Sequence, residues 1–140
     1  MPITKGYKAL LAEANAQIKT YSVSQVQEKI ASGNVQMVDI RDIRELDKGT
    51  MPGSVHAPRG MLEFWVDPDS PYFKPMWGDE SKEFVLFCAA SWRSALTTKT
   101  LQDMGMTNVA HMDGGWEEWV KQGGSSETLE ERKAKKLKAG

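Results

Sequence analysis

Cysteine is nearly absent from this chain: Cys88 is the only one among 140 residues. No internal disulfide can form, and chemistry that resolves through a second internal cysteine is excluded. With only two histidines beside that one cysteine, all widely spaced, no zinc-ligand cluster is expected, and none of the residues points to a bound cofactor. No apolar run approaches the length of a membrane-spanning helix. The formal net charge of -1 gives no electrostatic case for nucleic acid or for a membrane surface as partner. The N-terminus lacks the long apolar stretch of a secretory leader, so the expected location is cytoplasmic. No internal repeat is visible.

What remains is ordinary for a water-soluble domain. Hydrophobic residues make up 40% and charged residues 26%, enough for one core. The composition divides the chain into a helical extension over 1–19, a domain over 20–124 and a charged tail over 125–140.

The chemistry concentrates at Phe84-Val-Leu-Phe87, an apolar run that reads as a buried strand. Cys88 stands where that strand should end. Ala89, Ala90 and Ser91 follow, and a helix is expected from about Trp92 to Met104, closed by Gly105. A thiol in such a strand-to-helix turn faces free N–H groups and the positive helix end, which favour its reactive anion. Arg93 adds a fixed positive charge. The bland reading of a lone cysteine is a small buried hydrophobe. The turn, the arginine and the helix together favour catalysis.

Elsewhere, Tyr7, Leu10, Leu11, Ala14 and Ile18 fall at helical spacing. Tyr21 to Val23 reads as a short strand, Ser24 as the cap of a helix carrying Val26 and Ile30, and Gly33 as its end. Val35 to Ile40 reads as a second strand and Ser54 to Ala57 as a third. Asp39 and Arg41, at a strand end, are expected to pair locally. Met61 to Trp65 reads as a short helix. Residues 67–81 read as an irregular excursion pinned by Tyr72, Phe73, Met76 and Trp77. Thr107 to Met112 is the last strand, with His111 packed or edge-exposed rather than catalytic. Trp116, Trp119 and Val120 form an apolar stripe. After residue 124, acidic residues precede basic ones, and Thr128-Leu-Glu-Glu131 fits a capping box; a solvated, frayed tail is expected. Alternating strands and helices predict an α/β fold with a parallel sheet, its ligands bound beyond the strands' carboxyl ends.

Cys88-Ala-Ala-Ser-Trp-Arg93-Ser94 resembles the active-site loop of rhodanese-type sulfurtransferases. Two further segments agree, in the family's order. Asp39-Ile-Arg41 through Glu45, then Gly49-Thr-Met-Pro-Gly53, resembles the family's D-x-R…E…G-H-I-P-G-A element. Asn108-Val-Ala-His-Met-Asp-Gly-Gly-Trp116 resembles its closing V-x-x-L-x-G-G-x-x-x-W element. The resemblance spans roughly residues 20–123. It implies a three-layer rhodanese-like domain with a central, mostly parallel five-stranded sheet, the strand before Cys88 being central. Ser91 stands where the family often has Gly, which calls for a compensating backbone geometry. Thr50 replaces a usual His in a structural position. Glu45 is expected to join Arg41 in supporting the loop, together with Asp39.

The implied reaction is a double displacement. The Cys88 thiolate takes the outer sulfur of thiosulfate or a similar donor, sulfite leaves, and a Cys88 persulfide forms. Residues Ala89 to Ser94 cradle that anion; Arg59, Phe64 and Trp65 are the expected substrate contacts. The acceptor is cyanide, a thiol or a protein. A sulfur carrier serving a dedicated partner is the alternative. A phosphatase or arsenate reductase ranks lower, because Cys88 and Arg93 enclose four residues where phosphatases of this fold carry one more. A tetrahedral oxyanion needs the larger ring, and an alkoxide leaving group needs a proton that sulfite does not.

Overall fold

The computed structural model describes residues 1–139. Five parallel strands form one sheet in the order β1-β5-β4-β2-β3. They are β1 (Thr20–Tyr21), β2 (Val35–Asp39), β3 (Val55–His56), β4 (Glu83–Phe87) and β5 (Val109–Met112). The α-helices are α1 (Tyr7–Gln17), α2 (Val23–Ser32), α3 (Leu62–Val66), α4 (Trp92–Asp103), α5 (Gly115–Lys121) and α6 (Leu129–Ala139), with short 3-10 helices at Ile43–Lys48, Arg59–Met61 and Pro75–Gly78. The sheet is all-parallel and flanked by helices, as the strand–helix alternation predicts, and β4 is central.

Strand residues alternate between the faces of a sheet, and β4 does so over two cores. Phe84 and Leu86 join Val38, Ile40, Leu62 and Leu101 on one face. Val85 and Phe87 join Met37, Val23, Val26 and Trp119 on the other. A strand covered on both faces reads as a continuous apolar run, which is why it is so visible in sequence. Cys88 continues the alternation and belongs to the first core.

Several local expectations are corrected. The cap of α2 is Ser22, not Ser24: Ser22 Oγ accepts from Gln25 N–H, and Ser22 N–H donates to Gln25 Oε1. The strand before it is therefore Thr20–Tyr21. Gly33 ends α2 at φ 84°, a conformation glycine adopts without side-chain strain. Tyr72, expected to pin the excursion, and Val120, placed in the apolar stripe, are exposed, as are Ile30 and Met104. Phe73, Met76 and Trp77 do pin the excursion to the first core, Trp77 stacked on Phe84 with ring centroids 4.6 Å apart.

The C-terminal segment is not a frayed tail. Thr50 and Glu127 exchange backbone hydrogen bonds at 2.9 and 3.0 Å. The Glu127 carboxylate accepts from Arg132 and Lys135, each at 2.9 Å. Arg132 also donates to Met51 O and Ser54 Oγ. The docking is made of polar and backbone groups, so an apolar pattern could not announce it; Leu137 remains exposed. At the other end α1 lies along α4, with Gln102 donating to Gln17 O at 2.9 Å. Only Ala14 of α1 is buried.

Candidate active site

The β4 strand stops at Phe87 and α4 starts at Trp92, so Cys88 to Ser91 form the turn at the carboxyl end of the central strand. The loop's carbonyls are drawn outward. Cys88 O accepts from Trp116 N–H at 2.8 Å and Ala89 O from Glu117 N–H at 3.0 Å. These donors are the otherwise unpaired amides at the start of α5. The approach requires Gly115, whose φ is +59°; a Cβ there would stand 2.4 Å from Ala90 O and 2.5 Å from Cys88 O. Ser91 needs no left-handed backbone, because its φ is -165°. The serine, with ψ at -7°, thus avoids a positive φ at the position where the resemblance suggests a glycine.

Cys88 is 1% exposed. Its Sγ receives the Ser94 N–H at 3.4 Å and lies 3.5 Å from Ser94 Oγ. Arg93 does not reach toward the sulfur. Its two terminal nitrogens donate to the Glu45 carboxylate at 2.8 and 3.0 Å. This corrects the expected Glu45–Arg41 pair: Arg41 meets only the backbone carbonyl of Glu45, at 3.4 Å. The hydrogen bond from Arg93 holds the Glu45 carboxyl below its ordinary range, against the opposing effect of burial.

Asp39 and Arg41 do pair locally. Arg41 Nη2 donates to Asp39 Oδ2 at 2.8 Å and to Gly49 O at 2.8 Å. Thr50 Oγ1 donates to Asp39 Oδ2 at 2.7 Å and touches Ser54 Oγ at 3.1 Å. A buried charge pair persists only when its remaining donors and acceptors are satisfied, and Thr50 supplies one of those bonds. The Arg41 guanidinium lies 5.2 Å from the Trp116 ring centroid. The pair thus braces α5, and α5 holds the loop carbonyls.

A groove of about 720 Å³ opens beside Ala89, lined also by Arg41, Asp42, Arg44, Glu45, Lys48, Trp116 and Glu117. Trp92 is 58% exposed and packs against Tyr7 of α1, ring centroids 5.0 Å apart. Arg59 follows β3 at the same end of the sheet, but it lines a different cleft with Leu10, Glu13 and Leu96. Among the described residues its side chain makes no hydrogen bond to the loop. Phe64 is exposed. Trp65 packs on the first core and carries the Lys74 ammonium 4.2 Å above its ring.

Thr20 is a participant that the sequence does not point to, and His111, expected packed or edge-exposed, is packed. Its Nδ1 lies 2.9 Å from Ser94 Oγ and its Nε2 3.1 Å from Thr20 Oγ1. Burial lowers its pKa below the ordinary value of 6.5, and the nearby Asp113 opposes that only in part. No local signal joins Thr20 to His111, because the contact exists only once β1 pairs with β5.

A family model described as "Rhodanese-like domain" matches residues 22–122. The chain belongs to the rhodanese-like domain family. Its relatives place it in a sulfurtransferase or sulfur-carrier group. The human thiosulfate:glutathione sulfurtransferase is 26% identical over 106 residues, covering 72% of this chain and 92% of the relative. The Bacillus subtilis protein named "Putative sulfur carrier protein YrkF" is 25% identical over 110 residues, covering 78% of this chain and 55% of the relative. A solved structure from Rhodopseudomonas palustris, described as a protein of unknown function and "Possible Tyrosine Phosphatase", is 48% identical with a TM-score of 0.85. The match covers 91% of this chain and 98% of that one. Among the described residues no helix is long and apolar enough to cross a membrane.

Proposed function

We propose that this rhodanese-like protein moves sulfane sulfur from thiosulfate, or a donor like it, to a thiol, cyanide or a protein acceptor through a Cys88 persulfide. The observation that carries this is the orientation of the loop. With the Cys88 and Ala89 carbonyls engaged by α5, the donor that the sulfur receives is the Ser94 N–H in the first turn of α4. Preorganised donors of this kind stabilise an anion without reorganising.

The Cys88 thiolate attacks the outer sulfur of the donor. The S–S bond forms at Sγ, and the donor's own S–S bond breaks with its electron pair on sulfite. The acceptor then attacks the outer persulfide sulfur, and the electron pair of that bond returns to Sγ. Residues Ala89 to Ser94 hold the intermediate. Arg59, with Phe64 and Trp65 nearby in sequence, is the proposed contact for the donor's sulfonate. The groove beside Ala89 is the proposed acceptor side. Arg44 there is held by Asp42, and Lys48 suits a thiol that carries a carboxylate, as the glutathione in the human relative's name does.

The reading is tested by two assays on the same preparation. Thiocyanate formation from thiosulfate and cyanide should exceed aryl-phosphate hydrolysis by orders of magnitude. Faster phosphate hydrolysis would put the phosphatase in its place.

A further inference from the structure

We propose that His111 is a positioning residue for sulfur transfer, acting through Ser94 to aim a hydroxyl proton at Cys88 Sγ. The inference rests on Cys88 being the sulfur carrier and concerns what receives the charge when sulfur leaves. Four side chains from three elements and the active loop form one chain of contacts. Thr20 Oγ1 is 3.1 Å from His111 Nε2, His111 Nδ1 is 2.9 Å from Ser94 Oγ, and Ser94 Oγ is 3.5 Å from Cys88 Sγ. The inner members are all buried.

A serine hydroxyl has one proton to give. Ser94 Oγ has three neighbours that could take it: Cys88 Sγ, His111 Nδ1 and Ser91 O at 3.2 Å. Only one arrangement serves a thiolate, which cannot donate. Ser94 must then point its proton at Sγ, so it receives one from Nδ1–H. Neutral imidazole carries a single proton, so Nε2 must accept from the Thr20 hydroxyl. The opposite sense of the same chain serves a thiol, with Sγ–H donating to Ser94 and Nε2–H donating to Thr20. The charged groups facing this chain are Arg93 beside the loop and Asp113 beyond β5. Burial disfavours the imidazolium, which leaves the two neutral tautomers as the working forms.

The bond to Sγ matters most when the acceptor attacks. With cyanide, a C–S bond forms to the outer sulfur and the S–S bond breaks. Thiocyanate leaves and the electron pair stays on Sγ. The new thiolate meets the Ser94 proton at once if His111 already holds Nδ1–H.

The test uses the full chain, loaded with one sulfur from thiosulfate and discharged by cyanide in a single turnover. His111→Leu should load fully and discharge about tenfold more slowly, the effect of one lost hydrogen bond to a charged group. His111→Asn puts an amide N–H in the place of Nδ1–H and should recover most of the rate. Thr20→Val, at the exposed end of the chain, should slow discharge by about threefold without disturbing the core. Unchanged discharge in His111→Leu, or equal slowing in Leu and Asn, overturns the proposal. A second arm needs no sulfur: ¹⁵N NMR of the imidazole, read where ultraviolet absorbance shows the thiolate. His111 should carry its proton on Nδ1 there, and a proton on Nε2 overturns the proposal. Failure to load sulfur counts against the sulfur-carrier role of Cys88 alone, and the NMR arm still decides the role of His111.

Discussion

Glu45 and Arg93 meet side by side, both guanidinium nitrogens on one carboxylate, across 48 positions of sequence. The pair ties the turn after β2 to the first turn of α4. Both side chains are about a third exposed, at 36% and 35%, so the direct contribution to stability is small, under about 1 kcal/mol. Glu45→Gln should therefore leave the denaturation midpoint almost unchanged while lowering the rate of sulfur loading several-fold, as Arg93 loses its fixed place beside the loop. Stopped-flow loading and urea titration of the same variant check both halves. The carboxyl's lowered pKa adds a sign: its stabilisation is present above the ordinary glutamate range and is lost as pH falls through the folded value.

Gly115→Ala is a small change with a large expected effect. Its Cβ would strike the carbonyls of Ala90 and Cys88, and both obstacles are backbone. The cost should exceed about 2 kcal/mol, combining steric clash with a left-handed conformation. The loop should also be displaced, so sulfur loading falls even at temperatures where the variant remains folded. Circular dichroism melts and loading stoichiometry measure the two effects separately.

The parts of this protein legible in sequence are those that a short window contains. The β4 run, the cysteine at its end and the arginine after it predict strand, loop and helix because each signal is local. The Asp39–Arg41 pair is readable for the same reason. The Glu45–Arg93 pair is not: Arg41 is the nearer partner in sequence, and only the fold turns it to Asp39 and Gly49 instead. The docking of residues 125–139 is likewise invisible, because Glu127 and Arg132 carry it through polar contacts. Resemblance to the family supplied the strand centrality that periodicity could not.

Thr50→Val keeps the shape of the side chain and removes its donor. Asp39 Oδ2 then loses one bond in a buried site, and the cost should be about 1–3 kcal/mol. Because Thr50 also borders Ser54, which Arg132 contacts, proteolysis of the C-terminal segment should become faster. An unchanged denaturation midpoint would show that the threonine only fills space.

Neutral His111 gives the fold a pH dependence. Its folded pKa is lowered, so the unfolded chain binds the proton more readily. Stability should be full above the ordinary value of 6.5 and fall as pH drops below it toward the folded value. Denaturant titrations across that window should show a weaker slope in His111→Asn than in the wild type.

Arg59 is tested by kinetics. Arg59→Ala should raise the thiosulfate KM with little change in kcat, the pattern of an interaction made equally in ground and transition states. Wild-type kinetics would make this arginine a surface charge of the cleft it shares with Leu10 and Glu13.

The most direct measurement is intact-mass spectrometry after brief exposure to thiosulfate. With one thiol in the chain, the wild type should gain the mass of one sulfur atom, and cyanide should remove it as thiocyanate. Cys88→Ser should gain nothing and show no turnover. A wild-type protein that stays unmodified, or a Cys88→Ser variant that still takes up sulfur, would contradict sulfur transfer through Cys88.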